Sequence, residues 1–577
     1  MPNKRPLTPN LLPPPKRLHT SDNPPSIPHA PRPNFDTLLY DEIILLIFSY
    51  LSWTDLCAIQ RTNRNWSRLA LDNQLWKAQY LSEYGRSRLR GVRGFIGRAD
   101  GREIRPLPGR AHSEGIKDWK WMFRISSNWR TGRCSVEALQ TGLNFPLSDR
   151  TLLPSSSDSQ GVQDQTFLII SGSMTITASS RASSHPVLTL IDTTHGTHTL
   201  RSASTRPSAT VQVTALALDQ CPPTTTHHAR LVSFLSTGEF VLFSIDHHTP
   251  THSSRLFTYV PNSRTSRTAP IIQAVYHHPL LVTLSQSFHL SLYDLSNDNV
   301  AHTQTLTSFT SHPPSSLVLS TPSPGTYKLV LAYAIPVYPS HWSVGATELM
   351  VASEAGGRMA VTGTRTARAI DVPQGWIDEN KLRLMREQWS RKVARVADTQ
   401  TDGKWVVLAP GDAVPTSTAE KNAVGSPSSS SASSSPPSSP SRSPHSSLYT
   451  SSSLHSANAL QLYRLYLPAS SSPTAMPKLT FVRSLHGQIG PVSALSLADG
   501  RCVSLGVNGS IWVWDLEGGT GAEVSSGRVA VAHAIDEVES EETRLRAASG
   551  VKGTVVFDER RIISVGTDGV QVWRFDV

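Results

Sequence analysis

Six histidines of this 577-residue chain fall in adjacent pairs, His227-His228, His247-His248 and His277-His278. Imidazole ligates metals and moves protons near neutral pH. Neighbouring side chains on a strand point to opposite faces, so such a pair does not easily close on one ion. These histidines read as polar loop residues. The four cysteines, Cys57, Cys134, Cys221 and Cys502, are scattered and form no C-x-x-C. That argues against a zinc site and a disulfide framework, and fits a reducing compartment. The chain has no H-E-x-x-H, no G-x-S-x-G and no G-x-x-x-x-G-K-[ST]. Gly109 to Lys117 lacks the ending of a phosphate loop, and Gly518-Gly519-Thr520-Gly521 reads as a flexible turn. No Ser/His/Asp set follows from spacing. The expectation is a non-enzyme with no catalytic residues, no cofactor and no metal.

Lysine and arginine number 54 against 44 acidic residues, a net charge of +10. Charged residues are 17% of the chain, below the ~25% of ordinary domains. Serine, threonine and proline supply the polar surface instead. This composition excludes a collagen, a long coiled coil and a wholly disordered chain. The apolar run Ile43 to Phe48, like every other in the chain, is far short of the ~20 residues of a membrane-spanning helix. Lys4-Arg5 is followed by no apolar block, so no secretory signal is expected. With Lys16-Arg17 it has the spacing of a bipartite nuclear import signal. A soluble protein of the nucleus and/or cytoplasm, without membrane contact, is expected.

Those residues must be positioned by distinct regions. Residues 1–33 hold eleven prolines, which predicts a disordered tail. Residues 34–84 read as a small helical domain. Asp41-Glu42 opens an apolar stretch through Leu51, with acidic residues at the positive end of the helix dipole. Thr54 is the expected N-cap of a second helix carrying Leu56, Ala58 and Ile59. A third stretch spaces Trp66, Leu69, Leu75 and Trp76. About fifty residues cannot bury this much apolar surface alone, so the module is expected to complete its core with another protein. Residues 85–131 form a basic loop and a helical linker. Eight arginines crowd 86–110, and Asp118 to Arg130 reads as helix.

From residue 132 to 577 the period changes to that of strands. Short apolar runs recur between turn residues, which means an all-β sandwich, barrel or propeller. Internal repetition decides for a propeller. Val213 to Asp246, Val492 to Asp515 and Gly553 to Trp573 each read strand, polar turn, strand ending in serine, glycine hairpin, strand ending in an aromatic. Ile271 to Leu295 is similar but lacks the glycine. Such units bury their faces against neighbours only, and about seven are expected. Two insertions interrupt them: an amphipathic helix near 376–396, and a disordered segment, 412–458. Within the latter, 426–456 holds eighteen serines and five prolines. Ser426, Ser435, Ser439 and Ser443 precede proline there and suit proline-directed kinases, whose phosphates would add charge.

Two families are resembled. Leu39, Glu42, Ile43, Leu45, Ile47, Phe48, Tyr50, Leu51, Asp55, Leu56, Arg64, Trp66, Asp72, Leu75 and Trp76 resemble an F-box, with Tyr40 where the family usually has proline. Leu485-His486-Gly487, Asn508 and Trp514-Asp515, then Asp568-Gly569 and Trp573, resemble WD40 repeats. The usual Gly-His is inverted, and Asn508 replaces an aspartate. The chain thus resembles an F-box/WD40-repeat protein. The fold class is multidomain: a small all-α domain followed by an all-β propeller.

The resemblance implies a substrate-recognition subunit of a Skp1–cullin–F-box ubiquitin ligase. It would dock Skp1, and through it cullin-1, by Leu39, Glu42, Ile43, Ile44, Ile47, Phe48, Leu51, Leu56, Trp66, Leu75 and Trp76. The propeller would hold a protein substrate through residues the sequence does not assign. Two rivals remain: a Skp1-binding scaffold outside any ligase, and an RNA-binding propeller using the Arg/Gly segment 86–110. Phe95 is that segment's only aromatic residue for base stacking, so nucleic acid is the weaker reading.

Overall fold

The computed structural model describes residues 38–85, 118–139 and 165–577, apart from 193–195, 203, 206–209, 222–227, 262–268, 297–299, 338–339, 354–357, 371–374, 412–458, 468–475, 489, 499, 526–551 and 567–568. The expected tail 1–33, the Arg/Gly segment 86–110 and the insertion 412–458 lie outside the described residues. No described helix is long and apolar enough to cross a membrane. The chain divides into two compact units, Met1–Gln79 and Tyr80–Val577.

Among its described residues the first unit holds four short helices, Asp41–Phe48, Trp53–Ile59, Arg64–Ala70 and Asn73–Tyr80, the last ending at the unit boundary. Side-chain caps punctuate them. Ser52, not the expected Thr54, caps the second helix, its Oγ accepting from Asp55 N at 3.3 Å. The helix starts at Trp53, so Thr54 already lies inside it. Asn63 caps the third helix by accepting from Trp66 N at 2.7 Å, and Asp72 accepts from Gln74 N at 2.8 Å in the fourth. The expected third stretch is therefore two helices, because each polar cap satisfies backbone N–H groups that only a helix start leaves orphaned.

The second unit contains seven four-stranded antiparallel sheets. Six take their strands in chain order: 166–201, 213–259, 271–307, 312–368, 396–485 and 492–525. The seventh combines Thr554–Phe557, Arg561–Gly566 and Gly569–Arg574 with Ser135–Leu139 as its outer strand. The innermost strands of successive sheets lie side by side, and Thr554–Phe557 lies beside Thr166–Ser171. The ring is therefore closed, and each sheet is one blade of a seven-bladed propeller. Buried clusters fill the spaces between blades; Leu231, Leu281, Cys502 and Ile562 are fully buried at equivalent positions.

The meander fixes two faces. Strands alternate in direction, so turns after the first and third strands of a blade open on one face. Turns after the second strand, and connections between blades, open on the other. The linker helix, Trp119–Thr131, leads into Ser135, which pairs with Arg574 at the first of these, the entry face. Asp118 caps the helix, and Gly132, at φ 71, ends it. A Cβ on Gly132 would lie 2.2 Å from the Glu523 carbonyl oxygen. Trp129 stacks on Phe575 with centroids 4.0 Å apart, and its indole donates to Glu559 O at 2.9 Å. The insertion helix is shorter than expected, Glu379–Trp389, because Val396 already starts the fifth blade. It and the segment 412–458 both open on the far face.

The repeat signature is held by hydrogen bonds. In the sixth blade the Trp514 indole donates to Ser504 Oγ at 3.1 Å, and Ser504 donates to Gln488 Oε1 at 2.7 Å. Gln488 Nε2 donates to Ser510 Oγ at 2.8 Å, which donates to Asn508 Oδ1 at 2.7 Å. His486 takes no place in this chain of bonds; Gln488, two residues on, does. The seventh blade keeps its first link, Trp573 to Ser564 at 3.1 Å. In the hairpin lacking glycine, Phe288 itself adopts φ 60, where Gly238 and Gly509 hold 82 and 81. That conformation is costly for a bulky residue, and the ring is held by burial against Tyr333.

Ser504→Ala removes the acceptor of the buried Trp514 indole and the donor to Gln488 Oε1, so a loss of about 1–3 kcal/mol is expected. Ser504→Ala/Trp514→Phe is expected to lose less than the sum of its two single changes, because the orphaned donor is gone. Denaturant unfolding of wild type and the three variants checks this.

Candidate partner-docking site

The first helix, Asp41–Phe48, carries apolar residues nearly all round. Its inner positions are Ile44 and Phe48, one turn apart and buried. Phe48 meets Trp66 edge-on with centroids 5.8 Å apart. Leu56, Leu69, Leu75 and Trp76 are also buried. The Trp76 indole donates to Ala70 O at 2.8 Å, and Gln79 Nε2 donates to Leu51 O at 2.7 Å. This unit has its own small core.

The other side of the first helix is different. Ile43, Leu46, Ile47 and Tyr50 recur at steps of three and four, share one face, and are all exposed. Tyr50 is 83% exposed, and Leu38, Tyr40 and Trp53 add exposed apolar surface nearby in sequence. A contiguous exposed apolar patch marks an interaction surface more often than a free one. Asp41, in the first turn, pairs with Arg68 on the third helix. Both side chains are largely exposed, so that pair contributes little to stability.

The sequence-derived docking residues thus fall into two sets. Ile44, Phe48, Leu56, Leu75 and Trp76 lie in the core. Glu42, Ile43 and Ile47 are exposed, while Leu39, Leu51 and Trp66 are half-buried. Leu46, Tyr50 and Trp53 are exposed members that sequence reasoning missed. The signal was present: counting threes and fours from Ile43 reaches Leu46, Ile47 and Tyr50.

In the described propeller the thiol of Cys221 sits beside an imidazole, its Sγ 3.3 Å from His277 Nδ1. Burial and the neighbouring Asp219 carboxylate push its thiol up to about 12. Asp219 Oδ1 accepts from Cys221 N at 3.0 Å and from His278 N at 3.1 Å. The geometry of a Cys–His pair is there, but the charges around it oppose a thiolate. No group of three or more metal-ligating residues occurs among the described residues.

Comparison with known proteins places this geometry. Residues 182–556 match the family model of the F-box protein pof12 β-propeller, and residues 41–82 match the F-box-like model. The chain belongs to the pof12 β-propeller family of F-box proteins. Two similar curated proteins are named "Probable E3 ubiquitin ligase complex SCF subunit sconB", from Arthroderma benhamiae and Trichophyton verrucosum. Each is 30% identical over 124 residues, and the match covers 18% of this chain and 18% of the relative. Among solved structures, the C-terminal WD40 domain of Sif2 shares 11% identity, with 71% of this chain and 82% of that one covered, at a TM-score of 0.33. The fold rests on the strand pairing above and not on that superposition. The exposed stripe therefore lies in an F-box-like region, and the seven blades form the propeller of the family.

Two outcomes are expected. Tyr40 holds φ −70, the angle a proline ring imposes. Tyr40→Pro is therefore expected to stabilise the helical unit by about 0.4–1 kcal/mol, measured by denaturant unfolding. Cys221 is expected to resist iodoacetamide at pH 8 and to react only as pH approaches 12, with modified peptides counted by mass spectrometry.

Proposed function

We propose that this chain is the substrate-recognition subunit of a Skp1–cullin–F-box ubiquitin ligase. The exposed stripe Ile43, Leu46, Ile47 and Tyr50 carries the reading, because a helical unit with its own core has no internal use for it. The F-box-like match over 41–82 and the partial similarity to an SCF subunit support the choice of Skp1 as the partner, with cullin-1 reached through it. The buried candidates, Ile44, Phe48, Leu56, Leu75 and Trp76, shape the helices that present the stripe. Glu42 and the half-buried Leu39, Leu51 and Trp66 border it.

The propeller would hold a protein substrate, and the chain itself would contribute no catalytic group. Proximity would do the work. A substrate tethered near the charged ubiquitin carrier meets it at an effective concentration set by geometry, of the order of millimolar for short tethers. The basic pairs near the N-terminus support a place in the nucleus and/or cytoplasm.

Affinity capture of the full-length chain, read by mass spectrometry, tests the proposal. Wild type is expected to bring down Skp1 and cullin-1. Ile43→Ala/Ile47→Ala removes two exposed anchors without touching the core, and is expected to weaken Skp1 binding about a hundredfold, at roughly tenfold per anchor. Absence of Skp1 from the wild-type sample would end the reading. Skp1 without cullin-1 would make the chain a scaffold outside the ligase.

A further inference from the structure

The insertion helix on the far face, Glu379–Trp389, is eleven residues long and buries none of them. It is nonetheless held. Asp378 caps it by accepting from Lys381 N at 2.7 Å, and Lys381 Nζ donates to Trp376 O at 2.8 Å. Beyond the helix, Val393 and Trp342 exchange backbone hydrogen bonds of 3.0 and 2.7 Å, tying the segment to the fourth blade. Arg391 pairs with Glu387 and lies 4.1 Å from the centroid of the Phe481 ring, on the fifth blade. On this fixed frame the Trp376 side chain is 86% exposed, and Ile377 and Leu384 also face water. Burial of apolar area is the main return for ordering a chain. Here three apolar side chains sit on ordered backbone and collect little of it.

The charge is one-sided as well. Residues 376–395 hold six basic residues against three acidic. Of the acidic ones, Asp378 is engaged as the cap and Glu387 by Arg391. Arg383, Arg386 and Arg395 are exposed, and so is Arg368 at the end of the preceding strand.

We infer that this ledge between the fourth and fifth blades docks an acidic peptide segment of a partner protein, one that brings apolar side chains to Trp376 and Leu384. The inference rests on the receptor reading above and supplies the chemistry of what the propeller holds. Charge complementarity selects the occupant. A second copy of the chain would bring like charge against like. An anionic membrane would meet Asp378 and Glu379 beside the exposed tryptophan. The chain's own segment 412–458 leaves from Gly411, whose N–H donates to Arg395 O at 3.0 Å. That segment has two acidic and two basic residues, so unmodified it offers no complementary charge.

The test uses the full-length chain and labelled synthetic peptides of equal length and apolar content, with net charge running from acidic to basic. Fluorescence anisotropy is expected to show binding by the acidic members alone, weakening as salt is raised. Trp376→Ala/Leu384→Ala and Arg383→Glu/Arg386→Glu are each expected to weaken it about tenfold or more. Both should keep the wild-type melting temperature, since no residue of the helix is buried, and both should still bind Skp1. Acidic-peptide binding that survives both variants would put the site elsewhere and overturn the inference. So would binding to anionic lipid vesicles with none to peptides, or binding to a phosphorylated synthetic 412–458 segment with none to the other acidic peptides. If wild type binds acidic peptides but not Skp1, the ligase reading fails and the ledge stands.

Discussion

The pairing of Ser135–Leu139 with Gly569–Arg574 is the contact on which the second unit depends. A propeller blade buries its two faces only against its neighbours, so an open ring would leave the first and last blades each with an uncovered face. The outer strand of the last blade comes from the start of the propeller sequence, and Ser135 to Leu139 bond in register to Arg574 to Val570. The same contact anchors the linker. Trp129 stacks on Phe575, Asn128 Nδ2 donates to Phe575 O at 2.8 Å, and Arg124 donates to Asp576 O at 2.9 Å. Closing the ring and fixing the linker helix are therefore one event. A chain that loses its last few residues loses the floor on which this helix packs.

Much of the fold was legible because inner strands are covered on both faces. Leu280–Ser285 is buried along its whole length, and so is Trp405–Pro410. Such runs are apolar and stand out. The outer strands face solvent on one side and along one edge, and their sequences show it. Gly196–Arg201 reads Gly-Thr-His-Thr-Leu-Arg, and Ala301–Thr307 reads Ala-His-Thr-Gln-Thr-Leu-Thr. Neither carries an apolar run, and both are strands only because an inner neighbour offers hydrogen bonds. The repeat signature had a similar limit. Trp514 and Ser504 could be found by alignment, but the third member is Gln488, an amide where a histidine was sought.

The exposed stripe of the first helix was half legible for a different reason. A helix that is apolar all round gives no contrast between its faces, so composition could mark Ile43 to Phe48 but could not sort them. The sorting comes from tertiary contact: Trp66 against Phe48 defines the inside, and periodicity then assigns Ile43, Leu46, Ile47 and Tyr50 to the outside. Once one inner residue is known, the pattern predicts the rest. The expected cap, Thr54, was misplaced by two residues for an equally local reason. Ser52 and Thr54 both have the chemistry of a cap, and only the backbone at 52, extended at ψ 161, leaves the side chain free to reach Asp55 N.

The two faces of the ring have different freedoms. Adding residues to a loop costs little, about 0.6 kcal/mol per doubling of length, provided the strands on either side still pair. The fifth blade shows this: Trp405 pairs with Arg464 and Leu408 with Gln461 across the segment 412–458. The long connections 369–395, 411–459 and 526–553 all open on the far face, whereas the entry face carries the linker helix. A strand of six residues spans about 20 Å, so the closed ring holds linker and ledge at a set separation. That rigidity matters for any function by proximity. Effective concentration falls steeply once a tether explores more volume than it needs, and a propeller of seven mutually buried blades explores very little. The connections of the far face can therefore differ in length at little cost in stability, because the ring beneath them keeps its geometry.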